Sequence, residues 1–69
     1  MDADLARTFL MVASCGSFLE ASERLHLTQS AVSHRLRVLE EFYKGRLIDR
    51  GRGQFHLTHK GQLVQHHAL

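Results

Sequence analysis

The sequence predicts a mainly α fold: three short helices, a small two-stranded β element, then the start of a further helix. Three observations carry that expectation. Apolar residues recur at helical spacing in successive stretches, each with a residue suited to capping at its start. One later stretch alternates with a period of two beside a Gly-containing turn. The chain, 69 residues long, 43% hydrophobic, 23% charged and without Pro, suits one small ordered unit. A unit of this size buries roughly 60% of its unfolded surface, too little for a deep catalytic cleft.

The first helix is expected from Asp2, a good N-cap, through Leu5, Phe9, Val12 and Ala13 to Gly16. Ser17 opens a second, roughly Phe18 to Leu25. Glu20 three places on completes an S-x-x-E capping box, in which hydroxyl and carboxylate each satisfy an orphan backbone donor. No glycine marks the end of this helix. His26 stands at the position that calls for a left-handed residue, and histidine tolerates positive φ better than most side chains. His26 is therefore expected in the left-handed region, with apolar Leu27 folding back onto the helix.

Thr28 caps a third helix over about residues 29–42. At 100° per residue, Val32, Leu36, Leu39 and Tyr43 share one side. Ser30, His34, Arg37 and Glu41 share the other, with Ser33 at its flank and Gln29 projecting from the first turn. The polar face is rich in donors and acceptors at its N-terminal end, and these are groups for reading a surface rather than reacting with it.

A short helix, a three-residue connection and a longer helix with such a face describe a helix-turn-helix, whose second helix enters the major groove by its N-terminal residues. Small Ala21 and Ser22 fit the close approach of the two helices. On periodicity and spacing alone, a three-helix module that binds proteins is the alternative.

The following "RLIDR" and "GRGQFHL" suggest a wing. Phe55 and Leu57 alternate with Gln54 and His56 as in a half-buried strand, and Arg50, Gly51, Arg52 and Gly53 form the tip. Cations beside glycines suit phosphates or a minor groove; a plain solvated turn is the other reading of these four residues. Thr58 caps a last helix from about His59 to Leu69, with Leu63, Val64 and His67 on one side. That helix is still running where the chain stops, which points to self-association or to a longer parent chain.

Charge agrees with a polyanionic partner. Residues 1–34 hold two basic and four acidic groups, residues 35–69 seven basic and three acidic. The pI is near 9.2, and Arg37, Lys44, Arg46, Arg50 and Arg52 fall within sixteen residues. Other functions find little support. Cys15 is alone and has no close basic neighbour in sequence, as a small buried hydrophobe would. Six histidines include no i, i+4 pair within the last helix. No enzyme activity, cofactor or metal is expected. No export signal and no apolar run approaching the ~20 residues of a membrane span is visible, so the expected compartment is the cytoplasm.

"RTFLMVASCGSFLEASERLHLTQSAVSHRLRVLEE", followed by "RLIDR", "GRG" and "LTHKG", resembles the N-terminal winged helix-turn-helix domain of LysR-type transcriptional regulators. The resemblance covers nearly the whole chain. It implies a bacterial, homodimeric, sequence-specific binder of double-stranded DNA with residues 1–58 as the DNA-binding domain. Residues 59–69 would begin a linker helix that pairs two protomers. A separate effector domain, outside these 69 residues, would sense a small-molecule inducer.

Carried over by position, the base-reading and phosphate-contacting residues fall on Gln29, Ser30, Ser33 and His34, and the wing contact near Arg52. With the polar face and the basic tip, the expected DNA-binding set is Thr28, Gln29, Ser30, Ser33, His34, Arg37, Arg50 and Arg52. The chain departs from the family pattern in places. Lys44 occupies the site of the usual Gly, with Gly45 one place later, so the third helix runs a residue longer or its turn shifts. Ile48 stands for a usual Phe, and His34 for a common Arg.

Overall fold

The order of elements follows the capping residues closely. The computed structural model describes residues 3–68, apart from the side chains of Arg52 and Ala68. The expected cap Asp2 lies outside them. Helix α1 spans Ala3–Cys15, α2 Phe18–Leu25, α3 Gln29–Tyr43 and α4 His59–Ala68. Between α3 and α4, strand β1 (Ile48–Asp49) pairs antiparallel with β2 (His56–Leu57), Ile48 opposite Leu57 and Asp49 opposite His56. This is a winged helix-turn-helix: a helical unit with a short β hairpin attached.

Local chemistry explains most boundaries. Ser17 Oγ accepts from Glu20 N at 3.1 Å, giving half of the expected capping box. The Glu20 carboxylate turns instead to Arg24, whose Nη2 donates to it at 3.2 Å. Thr28 Oγ1 accepts from Ala31 N at 3.0 Å and starts α3. Thr58 Oγ1 accepts from Gly61 N at 3.0 Å and donates to Arg46 O at 2.6 Å, so one hydroxyl both starts α4 and ties it to the segment before β1.

Helix α2 ends as expected. His26 takes φ 58° and ψ 42°, its N–H reaches Glu23 O, and Leu27 N–H reaches Ser22 O at 2.9 Å. These two bonds make a Schellman motif on a non-glycine residue. The same motif closes α3. Lys44 takes φ 57°, with Lys44 N–H on Glu41 O and Gly45 N–H on Glu40 O. The turn does not shift to Gly45: α3 runs to Tyr43, and the lysine itself adopts the left-handed conformation.

The core joins all the helices and the hairpin. Phe9 and Val12 of α1, Phe18 and Ala21 of α2, Val32, Leu36 and Leu39 of α3, Leu47, Ile48, and Val64 of α4 are all buried. Ile48 is 1% exposed, so the side chain at this position lies in the core. Ala21 and Ser22 are buried where the helices approach, and Ser22 Oγ donates to Leu19 O.

The last helix corrects one expectation. Leu63 and Val64 do not form a common free face. Val64 is buried against the rest of the domain, and Leu63 is 50% exposed. Consecutive residues of a helix are about 100° apart, and α4 lies close enough to bury one of the two. Buried Gly61 permits that approach, since an added Cβ there would collide with the Leu47 carbonyl oxygen.

Candidate nucleic-acid interface

The candidate surface begins where the turn delivers the chain into α3. The left-handed His26 reverses direction, Leu27 folds back, and Thr28 fixes the first turn. From there Gln29, Ser30, His34 and Arg37 project outward and are exposed, with Ser33 half-buried at their flank. Behind them Val32 and Leu39 are fully buried and Leu36 is 7% exposed. A row of polar side chains is thereby mounted on an element whose opposite face is fixed in the core. Thr28 is exposed too, with its hydroxyl oxygen engaged by Ala31 N–H.

Arg35, one place from His34, points elsewhere. Its Nη1 donates to Thr8 Oγ1 at 3.3 Å, and Thr8 Oγ1 in turn donates to Asp4 O at 2.8 Å. Arg35 therefore ties α3 to α1.

The wing tip is tighter than a simple hairpin turn. Gly51–Gly53 form one turn of 3-10 helix, closed by Gln54 N–H on Gly51 O at 3.1 Å. Asp49 Oδ1 accepts from Gly51 N–H at 3.0 Å, and Gly53 takes φ 72°. Phe55 and Leu57 are half-buried while Gln54 and His56 are exposed, as the alternation requires. The Arg52 backbone lies within this turn, and its side chain lies outside the described residues.

Arg50 leans back over the body of the domain, its Cζ 4.0 Å from the centre of the Phe18 ring. A cleft of about 320 Å³ opens beside it, lined among others by Phe18, Leu19, Gln29, Arg50 and Phe55. The structure thus brings Gln29 at the start of α3 and Arg50 of the wing to one cleft. Both belong to the set expected from the sequence. Phe18 beneath Arg50 does not, because a contact between residues so distant in sequence leaves no local pattern.

Lys60 was also missed. Its Nζ donates to Tyr43 O at 2.9 Å and to Lys44 O at 3.4 Å, covering the carbonyl end of α3. Among the described residues, no helix is long and apolar enough to cross a membrane.

A helix-turn-helix, a basic wing and an exposed polar face on the second helix of the motif define the architecture of a DNA-binding regulator. The family model for bacterial regulatory helix-turn-helix proteins of the lysR family matches residues 3–62. An HTH-type transcriptional regulator from the ibpB-leuC intergenic region of Azotobacter vinelandii is 48% identical over 64 residues, 93% of this chain and 44% of that protein. Among solved structures, Vibrio fischeri DarR in complex with DNA superposes with a TM-score of 0.93 at 32% identity, over 99% of this chain and 23% of that one. The BenM_DBD/catB site 1 DNA complex superposes with a TM-score of 0.91 at 28% identity, over 99% of this chain and 76% of that one.

The chain belongs to the lysR family of bacterial regulatory helix-turn-helix proteins. It spans less than half the length of the curated relatives it matches, 44% of the Azotobacter protein and 23% of a regulator named HdfR from Yersinia enterocolitica.

Proposed function

We propose that this domain binds double-stranded DNA sequence-specifically as part of a LysR-type transcriptional regulator. The N-terminal half of α3 lies in the major groove, and the wing, residues 50–53, rests on the backbone or in the minor groove. The observation that carries this reading is the exposed row Gln29, Ser30 and His34, with Ser33 beside it, mounted on a helix whose other face is buried. Two structural neighbours solved with DNA support it.

Gln29, Ser30, Ser33 and His34 contact base edges and nearby phosphates. Thr28 and Arg37 flank them, and Arg50 and Arg52 hold the backbone. Such a division is expected, because base edges carry the sequence information while phosphates set position and most of the salt dependence. The chemistry is recognition without catalysis, and a DNA target places the protein in the cytoplasm.

Residues 1–58 form the DNA-binding unit and α4 begins the helix that pairs two protomers. Leu63, half exposed on α4, is an apolar contact for that pairing. Two copies present two α3 helices to a pseudo-palindromic site, with half-sites about one helical turn apart or a multiple of it. A small-molecule inducer acts on a further domain of the full-length regulator.

The test is in vitro selection from a random duplex library, followed by titration of the recovered and a scrambled duplex at several salt concentrations. An enriched site with dyad symmetry, bound more tightly than the scrambled duplex, is the expected result. Equal binding to both would overturn sequence-specific reading, and sedimentation showing only monomer with and without DNA would overturn the pairing.

A further inference from the structure

The arginines of this domain are held in different ways. Arg7 lies 4.0 Å from Asp4, Arg24 3.2 Å from Glu20 and Arg46 3.7 Å from Glu40. Arg50, among the described residues, has no such carboxylate and lies instead on an aromatic ring. Its Cζ is 4.0 Å from the Phe18 centroid, and Phe55 meets Phe18 edge-on at 6.1 Å with 69° between the ring planes. Phe18 is only 5% exposed and starts α2, so the ring is a fixed platform.

A carboxylate would cancel the charge of Arg50 and occupy its N–H groups. A ring attracts the cation through its quadrupole without neutralising it or accepting a conventional hydrogen bond from each of its N–H groups, which stay available to an anion. Arg50 is thus oriented without being neutralised. The side chain belongs to an exposed residue on the rim of the cleft that also contains Gln29.

We propose that Phe18 is a positioning residue for DNA binding: it holds the Arg50 guanidinium over the cleft between α2 and the wing, donor edge outward, to receive a phosphodiester of the strand beside the groove that α3 enters. This rests on the DNA-binding reading above and adds to it a core residue that touches no DNA. The gain comes from restraint, because an arginine already held in place loses less side-chain freedom when it meets the phosphate.

The experiment is a double-mutant cycle on the 69-residue chain, using fluorescence anisotropy with a labelled duplex of scrambled sequence, since a phosphate contact is independent of sequence. Circular dichroism melts run alongside, so that binding is compared only where every variant is folded. Phe18→Leu is expected to weaken binding about two- to fivefold, the scale of an exposed cation–π contact. In an Arg50→Ala background it should weaken binding no further, and Phe18→Tyr should restore it.

Equal losses from Phe18→Leu with and without Arg50, or a lowered melting temperature with unchanged binding, would show that the ring serves the core alone and would overturn the proposal. Arg50→Lys leaves the core untouched and covers the case in which Phe18→Leu does not fold. It keeps the charge but not the flat fork, and should bind at least about twofold more weakly with the salt slope retained; binding equal to the unaltered chain would again overturn it. Failure of the unaltered chain to bind any duplex would remove the DNA-binding reading itself, a result distinct from an absent coupling.

Discussion

At its first turn α3 is capped by one side chain, Thr28 Oγ1 accepting from Ala31 N–H, beside the backbone bond from Val32 N–H to Thr28 O, and Gln29, Ser30 and His34 stand exposed there. At its last turn the same helix meets several restraints. The Schellman pair on Lys44 and Gly45 closes it, Lys60 Nζ caps the carbonyls of Tyr43 and Lys44, and Glu40 Oε2 accepts from Leu47 N–H at 2.9 Å. The difference shows a helix positioned from its C-terminal end and its buried side, and offered at its N-terminal end. Changes at the open end should alter what is bound and leave the fold alone. Changes at the closed end should alter stability and leave specificity alone.

Leu39→Ala attacks what both ends share. The side chain is fully buried, and its truncation should cost about 2–5 kcal/mol, a large part of the stability of so small a domain. Urea unfolding measures this; a loss below about 1 kcal/mol would mean that the terminal contacts, not the core, hold α3 in place.

At the open end, Ser33→Ala or His34→Ala should narrow the gap between a selected site and a scrambled duplex by about 1–3 kcal/mol, with little change in melting temperature. Equal losses on both duplexes would make these residues anchors to the backbone. The comparison would then fail at its reading end.

The approach to the open end depends on His26. Replacement by Gly or Asn should leave folding intact, whereas His26→Val should cost about 1–2 kcal/mol, because a β-branched side chain is strained at φ 58°. Thermal melts of the three variants, in that order of stability, would confirm that the backbone of the turn and not the imidazole is what matters.

The smallest effect has the opposite sign. Lys44→Gly should relieve about 1–2 kcal/mol of left-handed strain and lose about 0.5–1 kcal/mol to the freer unfolded chain, for a net gain near 0.5–1 kcal/mol. The Lys60 bonds go to backbone carbonyls and survive the change. A destabilised Lys44→Gly variant would assign the lysine side chain a share in closing the helix.

What could be read in the sequence was what is decided within a few residues. Ser17, Thr28 and Thr58 each cap the next helix because a hydroxyl needs only the backbone three places on. His26 was legible from the lack of any better stop signal. Lys44 was not settled, because Gly45 next to it is the intrinsically better left-handed residue, and only the folded chain shows that the lysine takes the turn. Burial of Val64, the Lys60 cap and the cation–π contact of Arg50 with Phe18 are tertiary facts. Each joins segments that meet only after the chain has folded back, so neither periodicity nor motif spacing records it.

The unequal ends of α3 also have an electrical meaning. A helix carries roughly half a unit of positive charge at its start and half a unit of negative charge at its finish. Helices α1 and α2 place Asp4 and Glu20 in their first turns, whereas α3 has no acidic residue in its own. Its positive pole is unanswered within the helix, and its negative pole is met by the ammonium of Lys60 and by Lys44 at the cap. The positive pole therefore faces outward, toward whatever anion lies ahead of Gln29, while Glu40 and Glu41 in the last turn keep negative charge at the other end beside these two lysines. Added salt should weaken that attraction.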